Sequence, residues 1–170
     1  SAWEIALERT REIPAAAAAE LERERAARVG RALAERILNG VPLKEVLAEL
    51  EEYRGEEAAL VTRAAAARLL DGLEPEPPEH FDTVAAAVAR LLGPAARELE
   101  ELAAWYRRAR EEKVARIEAE GRALLRERGI SGSAVAGINP AAREAWRASL
   151  QGLEEACRTK LADLKARLAG

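Results

Sequence analysis

Residues 94–128 read PAARELEELAAWYRRAREEKVARIEAEGRALLRER and residues 140–168 read PAAREAWRASLQGLEEACRTKLADLKARL, and these two runs decide the fold. In each run the apolar residues recur at steps of three and four, which places them on one face of a helix. The stripe of the second run consists of Trp146, Leu150, Leu153, Cys157, Leu161, Leu164 and Leu168. Such spacing is typical of a coiled-coil seam. We therefore expect a long antiparallel helical hairpin, similar to a coiled coil, over residues 94–170.

A loop rich in glycine and serine, residues 129–139, joins the two predicted helices. Gly129 can end the first helix in the left-handed conformation, and Asn139 can cap the second. Because a tight turn needs only a few residues, the length of this loop indicates an ordered structure in which Ile130, Val135 and Ile138 pack on something. Contact with a partner or ligand is one interpretation, since loops often carry function. Its backbone N–H groups could bind an anion as a nest, although it lacks the lysine and the spacing of a P-loop. The other interpretation is that its small residues only turn the chain. The candidate contact residues in it are Ile130, Ser131, Ser133, Val135 and Ile138.

The preceding part of the chain, residues 1–93, predicts a small bundle of shorter helices. The predicted helices are 2–13, 15–38, a short helix opened by Pro42, 56–70 and 84–92. We expect Pro14 to interrupt helical structure between the first two of these helices, because a proline disfavours helical geometry at the residue before it. Asn39 and Gly40 stop the second helix. The acidic, proline-rich stretch 74–80 is expected to form a non-helical loop.

The composition supports the same fold class. Hydrophobic residues make up 49% of the chain but aromatic residues only 4%, so close helix packing through alanine is the natural use of this sequence. Alternating runs of β-branched and aromatic residues, which would indicate strands, are absent from the sequence. We therefore predict an all-α protein, with a small bundle over residues 1–93 followed by the long helical hairpin over residues 94–170.

The charge is unevenly distributed along the chain. Residues 1–94 hold 12 basic and 18 acidic side chains, whereas residues 95–170 hold 15 basic and 12 acidic ones. A protein that binds duplex DNA usually concentrates far more positive charge in one patch. The sequence therefore argues against tight duplex binding. It leaves an RNA- or ribosome-associated role for the mildly basic hairpin as the second interpretation of function.

Residues that could carry chemistry are few. Cys157 is the single cysteine, which excludes an internal disulfide, and its place on the apolar stripe favours a small buried hydrophobe. His80, the single histidine, is expected to be exposed in a loop without partners for a metal. We predict no catalytic residue, metal or cofactor, and no enzyme.

No apolar run approaches the ~18 residues of a membrane span and no signal-peptide pattern is visible. We therefore expect a soluble cytoplasmic protein without a membrane partner.

Three segments of the first third, SAWEIALERT (1–10), ILNG (37–40) and LKEVLAEL (43–50), resemble the start of a family of small helical bacterial proteins of uncharacterised function. Beyond these segments the resemblance is architectural, and it implies a central bundle followed by a long helical pair. It also implies a bacterial cytoplasmic protein. The family brings no activity, so the resemblance implies no site residues.

Aromatic side chains mark the remaining candidate contacts with a partner. Trp3 lies in an N-terminal helical segment that is too short to be stable alone, and Trp105 cannot fully share a helix face with its neighbour Tyr106. We expect Tyr106 and Trp146 to pack within the hairpin. The sequence thus predicts a structural or protein-interaction role, as a scaffold or adaptor, through docking on a protein partner or through self-association. The scarcity of large core residues favours a homodimer. A helical-bundle enzyme or small-molecule binder is the third interpretation.

Overall fold

A computed structural model describes residues 1–132 and 137–170 of the chain, with the backbone alone for residues 12 and 13. The described residues form helices joined by turns and contain no strand, so the predicted all-α class is confirmed. The helices are α1 (Ala2–Leu38), α2 (Leu43–Leu50), α3 (Gly55–Asp71), α4 (Pro78–Leu92), α5 (Arg97–Glu127) and α6 (Glu144–Ala169). Short 3₁₀ turns at Gly93–Ala96 and Pro140–Ala142 precede the last two helices.

The helices are grouped in two compact units. The first unit contains Ser1–Leu73 and Ala87–Gly93, and the second contains Glu74–Ala86 and Pro94–Gly170. The sequence placed residues 1–93 in one bundle, whereas the structure assigns Glu74–Ala86 of that range to the second unit. Contacts of the second unit explain the difference, because Phe81 packs edge-on against Tyr106 with ring centroids 6.1 Å apart.

The first unit is organised by a close parallel pair of helices, α1 and α3. A Cβ atom added to Gly30 of α1 would lie 2.7 Å from the Cβ of Ala64 and still closer to the Val61 carbonyl oxygen. One and a half turns further along, Arg68 of α3 donates to Glu35 of α1 at 2.6 Å. Glycine and alanine therefore bring the two backbones together, as expected of a chain rich in alanine. Core side chains around this contact include Ala26, Leu33, Ile37, Val46, Val61, Ala65 and Leu69.

The predicted break at Pro14 is wrong, because α1 continues through it from Ala2 to Leu38. A proline inside a helix removes one hydrogen bond and crowds the preceding turn. It can therefore kink a helix without ending it. Here five consecutive alanines, residues 15–19, follow directly. Alanine has the highest helix propensity, which favours continuation of the helix. The predicted stop at Asn39 and Gly40 is confirmed, since Asn39 caps the helix and Gly40 has a φ of 89°.

The second unit is organised by α5 and α6, whose contacts run in opposite order along the two helices. Glu98 at the start of α5 pairs with Arg167 at the end of α6 at 2.7 Å. Glu120 near the end of α5 accepts a hydrogen bond from Trp146 at the start of α6 at 3.1 Å. This order is that of an antiparallel pair. The buried residues of α6 lie on its predicted stripe, and they are Trp146, Leu153, Cys157, Leu161 and Leu164. The large buried residues of α5 are Leu99, Leu102, Tyr106 and Ile117.

The fourth helix begins earlier than the sequence predicted. Residues 74–77 are not helical, but α4 starts at Pro78 and therefore includes His80, which is half-buried rather than exposed in a loop. The physical reason is that a proline suits the first helical turn, where its missing N–H needs no partner. The expectation of a helix from residue 84, with residues 74–80 as a loop, is corrected accordingly.

Both ends of the predicted loop 129–139 carry the expected caps. Gly129 has a φ of 76°, and its N–H donates to the Arg126 carbonyl while the Ile130 N–H donates to the Leu125 carbonyl, both at 2.9 Å. This pair of bonds is a Schellman cap. At the other end the Asn139 side chain accepts from the Ala141 N–H at 3.0 Å. It caps the 3₁₀ turn, and α6 itself begins later than predicted, at Glu144.

Candidate functional site

The most exposed part of the first unit is the beginning of α1. Every described side chain from residue 1 to residue 25 is exposed. Four of them are large and apolar, and their exposed fractions are 76% for Trp3, 57% for Ile5, 44% for Leu7 and 67% for Leu21. Beside the start of α3, the α1 residues Ala19, Glu22 and Arg23 line a cleft with Glu56, Glu57 and Leu60. We call residues 2–25 the N-terminal helical segment.

Three of these four apolar side chains do not continue the core face of α1, whereas Ile5, about seven whole turns before Gly30, lies on that face. Leu21 and Gly30 are nine residues apart, which is about two and a half helical turns and therefore opposite sides of the helix. Gly30 contacts α3, so Leu21 points away from it. Trp3 lies about five turns before Leu21, and Leu7 about one turn after Trp3, so these three side chains share a face. All three side chains of this face are exposed.

The predicted contact residue Trp105 is half-buried on the second unit. The Lys160 ammonium lies 4.0 Å from the centre of its ring, within the range of a cation–π contact. Tyr106 and Trp146, which were expected to pack within the helical pair, are 1% and 6% exposed. The two aromatic side chains expected to pack internally are therefore buried, whereas Trp3 is exposed and Trp105 is half-buried.

The loop residues predicted to contact a partner have different environments. Ile130 is 45% exposed and Ser131 is also exposed. Ile138 is half-buried and packs on Gly121 of α5, where an added Cβ would lie 2.7 Å from its Cγ2 atom. Ser133 and Val135 lie outside the described residues. A role in partner contact stays a prediction for all of these residues.

A half-buried polar network in the second unit was not foreseen from the sequence. The Tyr106 hydroxyl donates to the Glu76 carboxylate, and Arg110 donates to the same carboxylate at 2.8 Å. Burial, together with the hydrogen bond to Glu76, raises the pKa of the Tyr106 phenol. The phenol therefore stays protonated and acts as a donor. Glu76 follows Pro75 in the proline-rich stretch, and nothing in its local pattern indicates partners more than 25 residues away.

A cleft of the second unit has a volume of about 620 Å³ and is lined by charges of both signs. Arg158 pairs with Glu154 at 2.7 Å and with Glu74 at 3.2 Å, and Arg110 pairs with Glu76. Arg147 donates to the Ala141 carbonyl at 2.5 Å. The lining of this cleft therefore balances three arginines against three glutamates, and its ion pairs are typical of those that hold segments of a fold together.

Other side chains capable of chemistry are isolated. Cys157 is fully buried, and burial raises the pKa of its thiol to about 12, so the nucleophilic thiolate is not formed at neutral pH. Across residues 1–132 and 137–170 the structure brings together no three His, Cys, Asp or Glu side chains that could hold a metal ion. Within the same ranges no helix is both long and apolar enough to cross a membrane.

Comparison of the chain with protein-family models, with curated proteins and with solved structures finds no match. The resemblance to a family of small helical bacterial proteins therefore stays a prediction.

Proposed function

We propose that the protein is a structural or protein-interaction module, a scaffold or adaptor, that associates through its N-terminal helical segment. The observation that supports this is the exposure of Trp3, Leu7 and Leu21, three large apolar side chains on one face of α1. Tryptophan and other large apolar side chains are enriched in the centres of protein interfaces. The setting we propose, the bacterial cytoplasm, rests on the sequence resemblance.

Energetic considerations favour a second copy of the chain as the partner. Burying one large apolar side chain stabilises a complex by roughly 1.5–3 kcal/mol, so three give roughly 5–9 kcal/mol. The loss of translational and rotational freedom on association costs about 4–15 kcal/mol. A symmetric dimer buries the same face twice for one such cost. We therefore expect a dimer of modest affinity, with a dissociation constant in the micromolar range or weaker.

Light scattering over a concentration series tests this function. We expect the apparent mass to rise from 18.4 kDa towards twice that value as concentration increases. A variant with Trp3, Leu7 and Leu21 replaced by serine should stay at the mass of one chain. The matched control is Ile130→Ser, which removes an exposed apolar side chain from the second unit and should leave the dimer intact. A constant monomer mass for the unaltered chain would contradict self-association.

A second candidate function has its own supporting observation. Around the loop end of α5 and α6, residues 121–147 hold five arginines against two glutamates, and all five arginines are exposed. They are Arg122, Arg126, Arg128, Arg143 and Arg147. Exposed arginine is suited to phosphate backbones, and the resulting affinity depends on salt. Filter binding of single-stranded RNA, repeated at several salt concentrations, tests this alternative. Weak binding without a salt dependence would exclude it.

A further inference from the structure

A second cleft of the second unit differs from the first in being mainly apolar. It has a volume of about 430 Å³ and opens between the last turns of α5 and the beginning of α6. Its walls are formed by Leu124, Leu125, Ile138 and Trp146. The three aliphatic side chains are only half-buried. Sites for small molecules have volumes of about 300–1,000 Å³, mostly apolar walls and few polar groups, so this cleft has the size and lining of such a site.

The walls of this cleft are fixed by packing and hydrogen bonds. Ile138 sits directly on Gly121, where a Cβ would lie 2.7 Å from Ile138 Cγ2 and 3.0 Å from its Cδ1. The absence of a side chain at residue 121 thus lets Ile138 form the floor. On the other side, the indole N–H of Trp146 donates to Glu120 at 3.1 Å, which orients the ring. Ile138 and Trp146 are therefore held in place before any ligand binds.

The charged side chains at the rim of the cleft are all positive. They are Arg128 and Arg143, and no acidic side chain is among its described lining residues. Arg143 pairs with Glu120 at 3.4 Å and lies over the Trp146 ring. Arg128, the C-cap residue of α5, makes no ion pair with any described residue. An uncompensated guanidinium therefore stands beside apolar walls, whereas the larger cleft has balanced charges.

We infer that this cleft binds a small organic anion with an apolar body, of which a medium-chain aliphatic carboxylate is the simplest example. The carboxylate pairs with the Arg128 guanidinium, whose planar group matches it with two parallel hydrogen bonds. The hydrocarbon chain lies against Leu124, Leu125 and Ile138, where it removes apolar surface from water. The N-terminal helical segment plays no part in this site, so the inference stands independently of the proposed self-association.

Calorimetric titration of the full chain with decanoate, below the concentration at which decanoate aggregates, tests this site. We expect saturable binding of one decanoate per chain. Decanol, which lacks the charge, and decylammonium, which reverses it, should bind at least about tenfold more weakly, since a charge-assisted hydrogen bond contributes strongly. Acetate, which lacks the apolar chain, should show no saturable binding.

A matched pair of variants locates the site. Arg128→Ala should weaken decanoate binding at least about tenfold. Arg126→Ala removes the same charge from the same helix turn outside the cleft, and binding should be unchanged. Circular dichroism checks that both variants are folded, which is expected because both side chains are exposed. The inference is overturned if decanoate shows no saturable binding, if decylammonium binds as well as decanoate, or if the two variants weaken binding equally.

Discussion

Two glycines in helix interiors should respond in opposite ways to the same substitution. At Gly30, which is buried, an added Cβ would meet the Val61 carbonyl oxygen, the Ala64 Cβ at 2.7 Å and the Ala65 nitrogen at 2.9 Å. Most of these atoms are backbone, so the α1–α3 contact itself must widen. At Gly152 in α6 an added Cβ meets nothing within 4 Å. Gly152→Ala is therefore the control for the helix propensity of alanine.

The expected magnitudes follow from these two environments. Alanine in place of glycine inside a helix stabilises it by roughly 0.5–1 kcal/mol. This gain applies at both positions and cancels when the two variants are compared. Overpacking a close contact costs about 1–3 kcal/mol. We therefore expect Gly152→Ala to be more stable than the unaltered chain, and Gly30→Ala to be less stable than Gly152→Ala by about 1–3 kcal/mol.

Urea denaturation followed by far-ultraviolet circular dichroism measures both variants against the unaltered chain. In thermal unfolding the same difference should appear as about 2–4 °C for each kcal/mol in a chain of this size. The reasoning is refuted if Gly30→Ala is as stable as Gly152→Ala. That result would mean that α1 and α3 do not approach each other closely at Gly30.

Four further expectations follow, three of them from the second unit and one from the charge of the chain. Tyr106→Phe removes the donor to Glu76 but leaves Arg110 paired with it, and should destabilise the fold by about 1–2 kcal/mol in urea titrations; an unchanged midpoint would show that this hydrogen bond contributes nothing. Because burial raises the pKa of the Cys157 thiol from 9.0 to about 12, its contribution to stability is complete below about pH 9 and is lost as the pH rises towards 12. A thiol reagent should accordingly react slowly with the native chain at neutral pH and rapidly in denaturant, and rapid native reaction would contradict the burial of Cys157. Filter binding of duplex DNA at physiological salt should give no submicromolar affinity, and a tight complex with a steep salt dependence would reverse this expectation.

The sequence predicts the helices of this protein well because their signals are local. Apolar spacing at three and four residues, Gly129 at the end of α5 and Gly40 after α1 each act through neighbours in the chain. The errors at Pro14 and Pro78 arise because proline has two opposite local meanings, interruption inside a helix and compatibility with its first turn. Local pattern alone does not decide between them.

The candidate sites were harder to predict because they depend on contacts between distant segments. Glu76 meets Arg110 and Tyr106 only after the proline-rich stretch lies against α5. Arg128 comes to line an apolar cleft only once the end of α5 and the start of α6 have folded together. Trp3 was a candidate from the sequence. Its exposure depends on where α3 begins to lie beside α1, near Ala19, so that the start of α1 extends beyond α3. No local pattern encodes that position.

The fluorescence of Trp3 tests the central claim, docking of the N-terminal helical segment on a second copy, most directly. A variant with Trp105→Phe and Trp146→Phe leaves Trp3 as the single tryptophan. We expect its emission to shift to shorter wavelengths as the protein concentration rises through the range in which the scattering mass increases, because the indole leaves water. Emission typical of a solvent-exposed indole at every concentration would contradict the account.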